Sequence, residues 1–314
     1  MARFVEFGVE TSYGATQGTR TGVKLTQFSD PVNRNPVVEE SLDQTAASAI
    51  YGGIYKPSGT LEGLLRPKGM EGMFHALTGD TTAATSLEFQ DTMKSLTMVV
   101  GDDQAAAGSG KYTLYNGVGL TRCEISCNVK EFVRTRWNYI AGKAVVLTSG
   151  PTVSYASNDV PSVFYNAEFT IDGSPVPAKG VTIVMERKVD EDYYYIGSPF
   201  LQGIYLSGLS DINGTITFGA GEWDRIEDVL IASGLATAGG NQLNPVMNDL
   251  VGGELELVCM DPDGVAPTVT ITLADVRITE MNRSVTGRNQ WEKTVNYRAV
   301  MTDPSDCLIN LAVV

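Results

Sequence analysis

KYTLYNGVGLTRCEISCNV, residues 111–129, reads as a long β-strand whose apolar face changes partway along. Val118 and Leu120 hold even positions, whereas Cys123, Ile125 and Cys127 hold odd ones. Side chains alternate along a strand with period two, so such a change of face needs a bulge or a break. TVTITLADVRITEM, from residue 268, carries the same irregularity: Val276 and Ile278 are even, Met281 and Val285 odd. A shift of 158 residues sets Val118 on Val276, Thr121 on Thr279, Ser126 on Ser284, Asn138 on Asn296 and Tyr139 on Tyr297, five identities in 22 positions, with Leu120 on Ile278. Two segments that share one irregularity predict two copies of one domain.

A second pair supports the duplication. GTLEGLLRPKGMEGMFHALTG at 59–79 and GTITFGAGEWDRIEDVLIASG at 214–234 share an extended run, a glycine break, an amphipathic helix and a closing glycine, at a shift of 155 or 156. The helix faces are Met70, Met73, Phe74 and Leu77 in one, and Trp223, Ile226, Val229 and Leu230 in the other. The predicted domains are residues 1–155 and 156–314, joined through the turn-rich stretch 148–162. Elsewhere, short β-branched or alternating runs bounded by Gly, Pro, Asn, Asp or Ser predict a mainly β chain. Each copy also contains a long connection, 29–58 and 189–213, of a length that is often functional.

Bulk properties exclude several classes. A chain of 314 residues with 43% hydrophobic content can bury a core without disulfides or metals. A net charge of −14 argues against a phosphate-binding surface, although an acidic surface can face nucleic acid so as not to adhere to it. The N-terminus shows no secretory pattern, and no apolar run approaches membrane-spanning length. Four cysteines form no disulfide framework, and Cys123 and Cys127, four apart in a strand, are too distant to bridge.

Catalytic motifs are wanting. His75, the one histidine, reads as part of an amphipathic helix, and the cysteines as small packing residues. GSGK at 108–111 lacks the remainder of a phosphate loop, and DPDG at 261–264 lacks the remaining ligands of a calcium loop. Acidic groups at Glu39–Glu40, Asp102–Asp103, Asp190–Asp192 and Glu227–Asp228 fit solvated faces better than a glycosidase pair. No catalytic, cofactor or metal residue is therefore predicted. YYYIGSPF at 193–200 reads either as a strand packing on both faces or as an assembly interface.

The segments FGVETSYGATQG, GVGLTRCEISCNVKEFVRTRWNYIAG, SVFYNAEFTIDGSPVPAKGVTIVMERKVDEDYYYIGSP, GLSDINGTITF and ADVRITEMNRSVTGRNQWEKTVNYRAVM follow one another along nearly the whole chain. In that order they resemble the tail tube proteins of long-tailed, siphovirus-like bacteriophages, of the class with two tandem tube domains. The resemblance implies two tail-tube-type β-sandwich or open-barrel domains, each with one short α-helix and a long stacking loop. It implies inner strands joined across subunits around a lumen, and trimeric rings of pseudo-sixfold symmetry stacked into a tube. It also implies no cofactor, no enzyme activity and no membrane, in a protein assembled in the host cytoplasm and located in the virion tail. The implied partners are other copies, a tape-measure protein, tail terminator and baseplate or distal tail proteins, and double-stranded DNA that transits without specific binding. The two long connections then supply candidate ring-stacking contacts: Val37, Val38, Ile50, Tyr51 and Tyr55, and Tyr193, Tyr194, Tyr195, Phe200 and Tyr205. Lumen-facing positions are expected to carry more Asp and Glu than Lys and Arg. A minor tail-end or baseplate ring of the same fold, and a two-domain β-sandwich ligand-binding module, are the alternatives.

Overall fold

The computed structural model describes residues 3–29, 32, 33, 37–39, 49–51, 53–80, 85–102, 111–157, 159–219, 253–260, 262, 263, 267–285 and 291–311. The predicted helix within 222–234, with its acids, lies outside the described residues, as do most of GSGK and part of DPDG. The first half of the chain contains β1 (Arg3–Val9), β2 (Thr21–Val23), β3 (Leu25–Ser29), β4 (Val32–Asn33), β5 (Val37–Glu39), β6 (Ala49–Tyr51), β7 (Lys56–Leu64), α1 (Pro67–Thr78), β8 (Ser86–Glu88), β9 (Leu96–Asp102), β10 (Lys111–Asn128) and β11 (Arg134–Leu147). The second contains β12 (Ala167–Ile171), β13 (Ser174–Pro175), β14 (Ala178–Glu186), β15 (Asp211–Phe218), β16 (Gly253–Met260), β17 (Pro267–Val285), β18 (Trp291–Ala299) and β19 (Cys307–Leu311). The fold is mainly β, its ladders are antiparallel, and α1 is the one α-helix among the described residues.

The long strands β10 and β17 each serve two sheets. The first part of β10 pairs with β9, while its second part pairs with β14 of the other half. Ladders consequently run without interruption through β3, β7, β11, β10, β14, β15, β18 and β17. Behind this sheet, β2 and β1 pair onto β9, and β13 and β12 onto β16. The C-terminal β19 lies between β17 and β8, so a strand of the first half extends a sheet of the second. Most buried apolar side chains of both halves form one contiguous cluster, in which Trp137, Tyr115, Tyr139, Tyr297 and Phe218 are fully enclosed, and Phe4, Val99 and Leu114 form a small second one.

The change of face seen in the sequence is a bulge in both long strands. The β10–β11 register shifts between Leu120 and Arg122, and the β17–β18 register between Ile278 and Glu280. The extra residues are Thr121 and Thr279, and their hydroxyls donate to the carbonyls of Asn138 (3.4 Å) and Asn296 (3.2 Å). A second bulge also occurs twice, between Leu25 and Gln27 in β3 and between Ala178 and Gly180 in β14. Two glycines let neighbouring strands and a tyrosine close over them. A Cβ on Gly59 would lie 1.9 Å from the Ser29 carbonyl oxygen and 2.8 Å from the Tyr139 hydroxyl. On Gly214 it would lie 2.0 Å from the Thr182 oxygen and 2.4 Å from the Tyr297 hydroxyl. Tyr297 donates to that Thr182 oxygen at 3.0 Å.

Helix α1 starts at Pro67, whose missing N–H is no loss in the first turn, and stops at Gly79 in the left-handed conformation (φ 84°). Met70, Met73, Phe74 and Leu77 point into the core, with Phe74 edge-on to Trp137 at 5.0 Å. No side chain of the helix's own start caps it. Asp159, from the connection between the halves, accepts from the Gly69 N–H at 3.1 Å and lies 3.8 Å from Arg66 and 4.0 Å from Lys24. A buried carboxylate at a helix N-terminus is favoured by the exposed N–H groups there, so this contact fastens the connection to the first half. His75 is 1% exposed, and burial lowers its pKa below 6.5 despite Glu71 at 3.8 Å.

Replacing Gly59 or Gly214 by Ala drives a methyl into a backbone carbonyl that cannot turn aside, and overpacking of this kind costs about 1–3 kcal/mol. Each variant is expected to lose that much in denaturant unfolding, with the m-value unchanged. A second expectation concerns pH. Because the folded pKa of His75 is depressed, the unfolded chain binds the extra proton between that pKa and about 6.5, and this contribution to stability falls on acidification across that window. The loss is at most about 1.4 kcal/mol per pH unit for one proton. His75→Gln should flatten the slope of melting temperature against pH below about 6.5.

Candidate assembly interface

The structure gathers most of the aromatic residues singled out in the two long connections. The strand-like bridge between Tyr55 and Phe200 is closed by the Tyr55 N–H donating to the Pro199 carbonyl at 2.9 Å, with the two rings edge-on at 5.9 Å. Lys143 of β11 places its ammonium 5.8 Å above the Phe200 ring, and Lys56 pairs with Glu191. Tyr193 packs on Tyr205 at 4.5 Å and on Tyr195 at 5.2 Å, the hydroxyls of Tyr193 and Tyr195 sharing a hydrogen bond. Tyr194 turns inward, and burial raises its pKa. Val37 and Val38 lie in β5, opposite Tyr51 and Ile50 of β6, in a separate two-stranded sheet. No described contact brings that hairpin onto the tyrosine cluster.

Several residues of this region escape reading by sequence. Tyr13, in the turn after β1, donates its hydroxyl to the Leu201 carbonyl at 3.0 Å, bridging 188 residues of chain. Its ring lies against Gly117 and Gly142, where a Cβ would come within 2.7 and 2.2 Å of Tyr13 atoms. Gly119 makes the same kind of room for Ile204. Glu10, beside Tyr13, is buried and accepts from Ser95 (2.6 Å), Thr97 (3.0 Å) and the N–H groups of Gly14 (2.8 Å) and Gly117 (3.0 Å). Four donors to one carboxylate fix the turn that carries Tyr13. The second long connection is thereby held across the first half of its own chain. Tyr195, Ile196, Tyr205 and Leu209 remain outward, Ile196 and Leu209 almost wholly exposed.

The polar face of the eight-stranded sheet is the other extended surface. Thr60, Asn138, Ser126, Thr182, Asn213, Thr215, Thr217 and Asn296 alternate there with the buried positions. Among the described residues its carboxylates include Glu62, Glu124, Glu186, Asp211, Asp275 and Glu280, and its cations Arg122, Arg134, Arg136, Arg277 and Arg298, with Lys179 at the bulge of β14. Five arginines lie against acids: Arg136 on Glu62 at 3.4 Å, Arg122 on Glu124 at 3.0 Å, Arg298 on Asp211 at 2.8 Å, Arg277 on Asp275 at 3.0 Å and Arg134 on Glu131 at 3.6 Å. Among the described residues this surface is close to balanced in charge. Exposed pairs add little stability, about 0–1 kcal/mol each. Their effect is to engage guanidinium groups that would otherwise be free for phosphate.

Among the described residues, no group of three His, Cys, Asp or Glu is placed to hold a metal, and no helix is long and apolar enough to cross a membrane. The four cysteines are free, and burial pushes the thiol of Cys127 up to about 11. Tyr13→Phe removes the hydrogen bond from the turn to the Leu201 carbonyl of the second connection, worth about 0.5–1.5 kcal/mol net. The expected result is faster limited proteolysis within 193–198, with the rest of the fold equally resistant.

Residues 3–289 match the family model described as phage tail tube protein, a span that takes in the turn bearing Tyr13, the aromatic connection and both long strands. No curated protein matches the chain. A mainly antiparallel β fold with a family match over nearly its whole length leaves one assignment: the chain belongs to the phage tail tube protein family, the self-assembling structural component of the virion tail.

Proposed function

We propose that this chain is the major tail tube subunit, built from two tandem domains, residues 1–155 and 156–314, so that three copies make a ring of pseudo-sixfold symmetry. The observation that carries the reading is the repeated register. Two kinds of bulge and the glycine–tyrosine contact each occur once per half at matching positions. A chain whose halves repeat to this degree presents six similar units in a trimer. Rings stacked by a heterologous contact that does not close yield a tube.

In this reading the eight-stranded sheet turns its polar face to the lumen. Thr, Ser and Asn with ion-paired arginines offer few free cations to DNA phosphates, and the release of counterions that drives nucleic-acid binding has little to act on. The genome passes without adhering. The outward patch of Tyr195, Ile196, Tyr205 and Leu209 supplies the apolar part of the ring-to-ring contact. The tape-measure protein occupies the lumen during assembly, and terminator and baseplate proteins cap the ends.

Negative-stain imaging of the purified protein tests the proposal: hollow tubes of uniform width, with threefold rings in averaged end views, are the expected outcome. Ile196→Asp should leave the folded subunit intact by thermal melting and abolish long tubes. Rings of six full-length chains would overturn the two-domain arithmetic. Short stacks of fixed height, present in few copies per virion, would assign the chain to a minor tail-end ring.

A further inference from the structure

The junction between the two halves carries a template for the junction between copies. Within the chain, the second part of β10 pairs antiparallel with β14, from Arg122 opposite Glu186 to Asn128 opposite Gly180, with Ser126 opposite Thr182. Each of these two edges has a counterpart in the other half. The second part of β17 matches that of β10 at a shift of 158, fixed by the bulges at Thr121 and Thr279. Strands β3 and β4 together match β14 at a shift of 153. Ser29 faces Thr60 as Thr182 faces Thr215, Gln27 faces Glu62 as Gly180 faces Thr217, and Val32 faces Pro57 as Met185 faces Ile212.

The counterpart edges stand at opposite ends of the eight-stranded sheet. Among the described residues, β17 beyond Val276 pairs only with β18, and β3 and β4 pair only with β7. Unpaired backbone edges of this kind favour addition of another strand. We infer that these two edges pair between copies, in the register of the internal junction: Glu280 opposite Asn33, Met281 opposite Val32, Ser284 opposite Ser29 and Val285 opposite Phe28. The occupant of each edge is a second copy of this chain, and the inference rests on the ring assembly proposed above.

Directly opposed residues of antiparallel strands have Cα atoms about 4.5–5.5 Å apart, within disulfide range. The test mixes two single variants, Ser29→Cys and Ser284→Cys, both carrying Cys127→Ala because Cys127 is the one native cysteine not fully buried. After oxidation of the assembled protein, a covalent heterodimer on a denaturing gel is expected, at least about tenfold above a mixture of Ser29→Cys with Val285→Cys, whose side chain leaves the other face of the strand. Val32→Cys with Met281→Cys forms an independent in-register pair, and linkage in either pair supports the inference. A single chain carrying both Ser29→Cys and Ser284→Cys should give covalent oligomers that end at the trimer. Rings or tubes in the microscope with no linkage above the control in either pair would overturn the register and leave the ring assembly standing. No assembly and no linkage, across the concentration range in which wild-type protein is imaged, would overturn both.

Discussion

An antiparallel sheet has to do something with its edges, and that constraint organises this molecule. A β10 that stayed in one sheet would leave the other half to find its own partner. The bulge at Thr121 instead turns the second part of the strand so that it is paired on both sides, by β11 and by β14. The ladder to β14 is the backbone continuity between the halves, and β19 on β8 is its counterpart in the sheet behind. Since each bulge inserts one residue and flips every following side chain, the core face could be preserved only by a matching change in the sequence. In β10, buried Cys123 and Ile125 are that change.

Close approach comes next. Where β7 and β15 meet their neighbours, the strands come so near that a side chain is excluded, and a tyrosine hydroxyl from the next strand occupies the gap. The surface over the junction is built similarly, with Gly117, Gly119 and Gly142 admitting Tyr13 and Ile204. A connection long enough to look like a free arm is consequently divided. Phe200, Leu201 and Ile204 are used within the chain, and the tyrosine tip beyond them faces outward. Buried Glu10, its oxygens satisfied by four donors, keeps the turn under that connection in place.

The electrostatics separate net charge from local charge. A total of −14 says nothing about where the carboxylates sit. On the polar sheet face Glu62 and Asp211 stand beside arginines of adjacent strands, and Glu124 and Asp275 beside arginines two residues away in their own strands. This sheet face is close to neutral among the described residues. The excess of acid lies in other parts of the chain.

Local features were legible in the amino acids. The change of apolar parity at residues 120–123 and 278–281 announces a bulge, and the spacing of Met70, Met73, Phe74 and Leu77 before Gly79 announces α1, because period and backbone preference are set by residues adjacent in the chain. The resemblance of ordered segments sufficed for the family. Partners distant in sequence were not legible: Asp159 capping a helix 90 residues away, Tyr13 reaching Leu201, and the pairing of Arg136 with Glu62. Each of these depends on strand register and on which loop crosses which sheet, and a shift of one residue would change every one. Strands, bulges and a helix face follow from alternation along one segment and can be read from it. Which edges are covered and which charges meet follows from the stacking of ladders, and no single segment contains that.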